Sequence, residues 1–413
     1  MRPNRLLLLL GPGLLIAATG VGAGDLAGGA FAGSKLGTTV LWAVALGAAI
    51  KYVLTEGLAR WQLATGQTLL EGAITHLGPV FRSAFLAYLI IWSYVVGSAL
   101  VSASAIGAMA LFPGWFGESA RLVWGLLHSA TAAALVWWGG YRRFEAVMST
   151  CVAVMFVTVI GAVVWSGPNL VEIARGLLVP SIPDYRAPDG SAQGVAWTLG
   201  LMGGVGGTLT VLCYGYWIRE RGRTTPADLP MTRVDLGVAY ALTAVFGMCV
   251  VILAAGIDLE GRGARLVVEL ANALEDKAGP GARWVFLVGG WAALFSSLLG
   301  VWQAAPYLFA DALRRAAQPT KIDTTRPAYR GFLVALAVVS LVGLSFRFEA
   351  VIRLNVVFGA FVMPLLAALL LYLLNHPRCL PERSQRNRWW TNAALAGTIA
   401  FFVYQSVVPL FLG

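Results

Sequence analysis

The chain has 413 residues, 58% of them hydrophobic and 12% charged, whereas soluble domains run at roughly 45–50% apolar and 25% charged. Its net charge of +10 comes from Arg residues in short loops between apolar runs, with no basic stripe interleaved with aromatics, which excludes nucleic acid as a partner. The four cysteines, Cys151, Cys213, Cys249 and Cys379, have no paired spacing, which argues against a disulfide framework or a zinc site and for small buried hydrophobes.

In chain order, the run Leu6–Ala18 flows into the next apolar stretch and reads as the start of a first span rather than as a cleaved leader. About eleven spans follow by length and hydropathy. Their expected limits are Leu14–Phe31, Thr39–Leu58, Ala84–Leu111, Leu122–Trp138, Ala146–Trp165, Val195–Trp217, Leu236–Gly256, Ala282–Trp302, Phe332–Phe346, Ala350–Leu374 and Thr391–Leu412. The loops 167–193 and 257–283 are longer, and the second carries apolar positions at helical spacing over Arg265–Leu274. The whole of 1–413 is one membrane domain whose main partner is the lipid bilayer.

Two of the spans are broken by glycine. The first holds Gly20-Val21-Gly22-Ala23-Gly24-Asp25 and the sixth Gly200-Leu201-Met202-Gly203-Gly204-Val205-Gly206-Gly207-Thr208. Each glycine costs a helix interior roughly 1 kcal/mol relative to alanine, so both tracts mark places to unwind. Unwound backbone at membrane depth is tolerated only where protein buries it or a watery cavity meets it. Interrupted helices at corresponding places in two halves point to the midplane site of a secondary carrier. Because five spans is an odd number, halves at 6–166 and 195–375 have opposite orientation, as a 5+5 inverted repeat requires, with 391–412 as an extra helix. Alternating the loops collects about two-thirds of the Lys and Arg on one side, which places the N-terminus in the cytoplasm and the C-terminus outside.

Few residues offer chemistry inside the spans. Asp25 is an intramembrane carboxylate at a break, either a contact for an ion or substrate or a cap for the second half-helix. Lys51 and Glu56 are five apart and share no helical face; each pairs with another span or snorkels, with a structural ion pair near the inner side as one reading of Glu56. His128 reads as a hydrogen-bonded packing residue, since no second His is near. Thr208, Thr210 and Tyr214 follow the second break, where hydroxyls bind substrate or simply answer freed carbonyls. Gln303 and Asn355 are amides suited to joining helices. Gly22-Ala23-Gly24-Asp25 lacks the strand context of a dinucleotide loop, and there is no Walker lysine, so neither a cofactor nor ATP is expected.

Several stretches carry a family likeness: Gly11-Pro12-Gly13-Leu14-Leu15, Leu63-Ala64-Thr65-Gly66-Gln67-Thr68, Phe295-Ser296-Ser297-Leu298-Leu299-Gly300 and Leu354-Asn355-Val356-Val357-Phe358-Gly359. With the breaks, they resemble the Nramp family of divalent-metal transporters. The resemblance covers nearly the whole chain. It implies an all-α integral membrane protein of LeuT-type fold in the cell (inner) membrane, not an enzyme and monomeric, with broken helices 1 and 6. The transported divalent cation is then held by Asp25 and Asn355, in a site lined by Gly22, Ala23, Gly24, Gly204, Gly207 and Thr208.

The departures from the family are informative. Its Asp-Pro-Gly-Asn becomes Gly22-Ala23-Gly24-Asp25, and its Met-Pro-His becomes Gly207-Thr208-Leu209, so an acid, a thioether and a His are lost; a second His falls near Tyr214. Two acids of the family's proton route appear as Val101 and Ser104. Thioethers favour softer metals, while carboxylate, carbonyl and water suit Mg, Ca and Mn. Gly22, Gly203, Gly204, Gly206 and Gly207 remove side-chain volume. The expected cargo is a partly hydrated Mg²⁺, moved with weak or no proton coupling, as in the Nramp-related magnesium transporters. The alternatives are a carrier of a small organic solute such as an amino acid, and a receptor that no longer transports.

Overall fold

The computed structural model describes residues 3–186, 193–259, 265–314, 322–345 and 348–412. Helix α1 (Pro3–Gly20) ends at the first glycine tract and α2 (Ala23–Leu36) restarts it, with Gly22 as an extended N-cap. α3 (Leu41–Thr65) stops at Gly66, which takes φ +73 and donates its N–H to Gln62 O, the left-handed ending that glycine alone adopts cheaply. Thr68 and Glu71 then form a reciprocal capping box that starts α4 (Leu69–Leu111). This helix begins earlier than the expected Ala84 and is kinked at Gly78-Pro79, where Gly78 has φ +80 and proline removes a ladder donor.

α5 (Ala120–Ser166) contains two of the expected spans. Gly140 has φ +62, and residues on either side of it return to one region of α11 (Pro280–Leu313): His128 meets Trp291, and Thr158 lies against Gly289. A straight helix at 1.5 Å per residue would put His128 and Thr158 about 45 Å apart, so the chain folds back at Gly140. Arg142 and Arg143 are exposed at this turn. The two longer loops hold α6 (Leu170–Leu178), capped by Asn169, and α10 (Arg265–Ala278), the helical excursion expected from its periodicity. The sixth span is α7 (Gly194–Gly204) and α8 (Tyr214–Glu220), joined through an irregular tract and the 3₁₀ turn Leu209–Cys213. The remaining crossings are α9 (Leu229–Ala254), α11, α12 (Pro327–Val342), α13 (Phe348–Asn375) and α14 (Trp389–Leu412).

Among the described residues, seven continuous helical stretches are long and apolar enough to cross a membrane. Gly24–Thr65 and Gly117–Ser166 each hold more than one helical arm, and shorter apolar helices Gly11–Gly20 and Val362–Asn375 add to the set. With α1–α2 and α7–α8 each taken as one interrupted helix and α5 as two arms, the described residues hold eleven helical arms in the order that hydropathy predicts. They pack as two groups. α1, α2, α3, α7 and α9 lie against one another, while α4, α5, α11 and α12 form the other body, and α1 also touches α5 and α11. The breaks in α1–α2 and α7–α8 both belong to the first group, and α1 and the 3₁₀ turn Leu209–Cys213 face α11 of the second.

Candidate functional site

The two breaks cross in backbone contact. A Cβ on Gly20 would lie 2.9 Å from the carbonyl carbon of Gly206, and one on Gly207 would lie 3.2 Å from the Cα of Gly20. Gly206 and Gly207 have φ +85 and +79, a region that L side chains rarely adopt. Close approach and left-handed backbone together explain why glycine is needed at both tracts.

Asp25 joins the breaks. One carboxylate oxygen accepts the N–H of Gly22 at 3.1 Å, and the other accepts the N–H of Gly206 at 3.2 Å. The first bond caps its own half-helix and the second reaches the opposite one, so one short acid answers orphan donors on both. Asp25 remains half-exposed, and each oxygen keeps a lone pair for a further ligand.

A charged partner stands beside it. Lys51 of α3 is 1% exposed; its ammonium donates to Gly207 O and lies near enough to attract the Asp25 carboxylate. It does not snorkel, one of the two alternatives its sequence position leaves open. Glu56, one turn and more along α3, instead pairs with Arg60 and Arg233, the structural ion pair foreseen for it.

The carbonyls freed in the first break are largely engaged. Ser297 Oγ lies 2.8 Å from Val21 O and 3.2 Å from Thr19 O, and Ser296 Oγ lies 3.0 Å from Ala18 O. Each hydroxyl has a single proton to give, so the carbonyls share two donors. The sequence displays this Ser-Ser pair in its eighth-span motif without showing what it faces. Lys51 likewise stands in plain view, but its partner is 156 residues away.

The predicted site residues occupy different surroundings. Gly22 is buried, with a Cβ placed there 3.0 Å from Ser297 Oγ, and Gly206 and Gly207 serve the crossing. Gly24 and Gly204 are exposed, and a Cβ on either meets no atom within 4 Å. Removal of side-chain volume beside an open space is thus seen at Gly24 and Gly204 rather than across the whole glycine set. Ala23 is the first residue of α2, and its side chain lies outside the described residues. Thr208 is half-exposed in the irregular tract, with φ −121 and ψ −111. Asn355 belongs to α13, and its side chain also lies outside the described residues. Among the described residues no three His, Cys, Asp or Glu side chains gather as a metal cluster.

Other candidates have packing partners. His128 Nδ1 lies 2.6 Å from Trp124 O, and its Nε2 accepts from Trp291 at 2.8 Å. Gln303 accepts from Trp217 at 2.8 Å, joining α8 to α11. Tyr214 donates to Asp235 at 2.9 Å. Asp235 itself also accepts from Arg223 at 2.9 Å and from the N–H of Gly13 at 3.0 Å, which ties α1 to α9 below the break. Val101 and Ser104 are fully buried in α4, and the Ser104 hydroxyl has no hydrogen-bond partner among the described residues.

Residues 13–411 match the family described as natural resistance-associated macrophage protein-like, Nramp. A divalent metal cation transporter MntH of Chromohalobacter salexigens is 32% identical over 186 residues, which cover 43% of this chain and 40% of that protein. Another MntH, of Aeromonas hydrophila, is 25% identical over 284 residues, covering 65% and 64% of the two. These matches span less than two-thirds of the relatives' own length. Among solved structures, an Eremococcus coleocola manganese transporter superposes with a TM-score of 0.76 at 15% identity, covering 99% of this chain and 88% of the other. MhsT in complex with L-phenylalanine superposes with a TM-score of 0.64 at 14% identity, covering 97% and 98%. The fold is of the LeuT type.

Proposed function

This chain belongs to the natural resistance-associated macrophage protein-like family, and on that premise we propose that it carries a divalent metal cation across the cell inner membrane by alternating access. The observation that carries the reading is Asp25, a half-exposed carboxylate that holds N–H groups of both breaks beside open space at Gly24 and Gly204. A cation arriving there meets the Asp25 carboxylate, with Thr208 as a neutral oxygen donor; Asn355 enters the ligand set on the family resemblance alone. Both breaks belong to one helix group, so movement of that group against the other alters the contact of the first break with Ser296 and Ser297 of α11, and so alters the site. The halves 6–166 and 195–375 are the inverted repeats, and each contributes helices to both groups, with the N-terminus cytoplasmic, the C-terminus outside and the monomer as the working unit.

The donor set is oxygen only, which suits a hard cation and a retained hydration shell, Mg²⁺ ahead of Mn²⁺. With Val101 and Ser104 in place of ionisable groups, α4 offers no acid at those positions to take a proton, and coupling to protons is weak or absent. Uptake of Mg²⁺ and Mn²⁺ into liposomes, with and without a pH gradient, tests both parts. Saturable uptake that ignores the gradient is expected; tight proton coupling with strong Mn²⁺ preference overturns the account.

Lys51 favours a second reading. Its ammonium beside Asp25 gives the site both signs of charge, which suits a zwitterion such as an amino acid. A thermal-shift screen separates the two, because a ligand stabilises in proportion to ln(1 + [L]/Kd): metals raise Tm on the first reading and amino acids on the second.

A further inference from the structure

Away from the crossing, a cavity of ≈ 390 Å³ opens between α3, the start of α9 and the segment that leads into α14. Arg60, Arg233, Arg386 and Arg388 line it, against a single carboxylate, Glu56. That carboxylate is already shared by Arg60 at 3.3 Å and Arg233 at 2.8 Å. Arg60 also donates to Gln385 O, and Arg386 to Leu380 O and Pro381 O, so neutral carbonyls position them without cancelling their charge. Arg388 is exposed and has no partner within the chain among the described residues. The cavity is therefore held open by its own hydrogen bonds and keeps an excess of positive charge.

Its depth follows from the aromatics. α14 begins at Trp389, 82% exposed, and Trp390, 45% exposed, stands in the cavity wall. Tryptophan pairs at span ends settle at the headgroup level. Tyr52, Val53 and Leu229 give the same cavity an apolar side. Planar guanidinium forks match phosphate oxygens, and basic pockets between membrane helices take anionic headgroups.

We propose that this cavity is a binding site for the headgroup of an anionic glycerophospholipid. The phosphodiester lies between Arg388 and Arg233, with Arg386 behind it, and Trp390 covers the glycerol where the acyl chains leave along α14. A free phosphate would use the arginines alone and would gain nothing from the tryptophan or the apolar wall. The site does not depend on the identity of the cargo.

The test uses the full-length protein in nanodiscs made from equal phosphatidylglycerol and phosphatidylcholine, with the retained lipids measured by native mass spectrometry. Wild type is expected to retain phosphatidylglycerol preferentially. Arg388→Gln breaks no contact within the described chain, so it is expected to fold normally and to lower that preference by about fivefold; Arg386→Gln lowers it in the same direction, and so does raising the salt. Unchanged preference in both variants, with Tm held, overturns the proposal. So does displacement of the retained lipid by millimolar inorganic phosphate or glycerol 3-phosphate, which would mark a site for free anions.

Discussion

Replacing Lys51 by methionine tests how the crossing holds charge. The ammonium is buried, donates to Gly207 O and is attracted to Asp25, so it occupies part of the environment a cation would use. A divalent ion held roughly 6 Å from it is repelled by about 5 kcal/mol at an effective dielectric of about 20, and by about 1.4 kcal/mol in bulk water. Gly24 is exposed and Asp25 only partly buried, so the lower figure is nearer. Lys51→Met is therefore expected to tighten divalent-cation binding about ten- to hundred-fold. The variant also leaves the Gly207 carbonyl without its donor, at about 1–3 kcal/mol of stability, and bound cation restores part of that. Isothermal titration with Mg²⁺ and Mn²⁺ reads the affinity, and Lys51→Gln, which keeps a donor, separates charge from hydrogen bonding. If wild type binds metal and Lys51→Met binds it no better while remaining folded, the charge argument fails. If wild type binds an amino acid and the variant loses it, the second reading gains.

Asp25→Asn keeps an acceptor for only one of the N–H groups of Gly22 and Gly206 and takes the counter-charge from buried Lys51, so it is expected to abolish metal uptake and to lower Tm; binding is therefore read on folded protein below that Tm. At Gly204 a Cβ meets no atom within 4 Å, so Gly204→Leu should leave Tm unchanged and, on the proposal that Gly204 lines the cation's path, lower uptake. Gly20→Ala, by contrast, puts a methyl 2.9 Å from the Gly206 carbonyl carbon, and a fall in Tm is expected with no mutation at any ligand. Asp235→Asn weakens the grip on Gly13 and removes the carboxylate charge that Arg223 and Tyr214 share, so a fall in Tm is expected; thermal unfolding measures it, and an unchanged Tm refutes the network.

The fold was legible because the membrane constrains the sequence so strongly. Eleven apolar runs, an arginine-rich set of loops and two glycine tracts follow from the need to satisfy every backbone group in lipid. Hydropathy also registered the turn between Trp138 and Ala146, where Gly140 takes φ +62 and Arg142 and Arg143 are exposed. What it could not register was Leu69–Leu77, too polar to count as a span, which is helical because Thr68 and Glu71 cap each other.

The candidate site was legible only as residue types, because one residue type did three different jobs. Gly206 and Gly207 are present for positive φ, Gly20 and Gly22 for close packing, and Gly24 and Gly204 beside empty space. Nothing local to the sequence separates these uses, since each depends on what the other break brings near. The same holds for charge. A single carboxylate at Asp25 looks like a cation site until Lys51, 26 positions further on in another helix, is found at the same crossing. Balanced in this way, the crossing has little net charge to draw an ion in, and a cation gains Asp25 only by competing with a tethered one. That competition favours a weakly held, well-hydrated ion over a tightly ligated one, and it makes Lys51 the residue whose removal most directly shows which kind of passenger the crossing accepts.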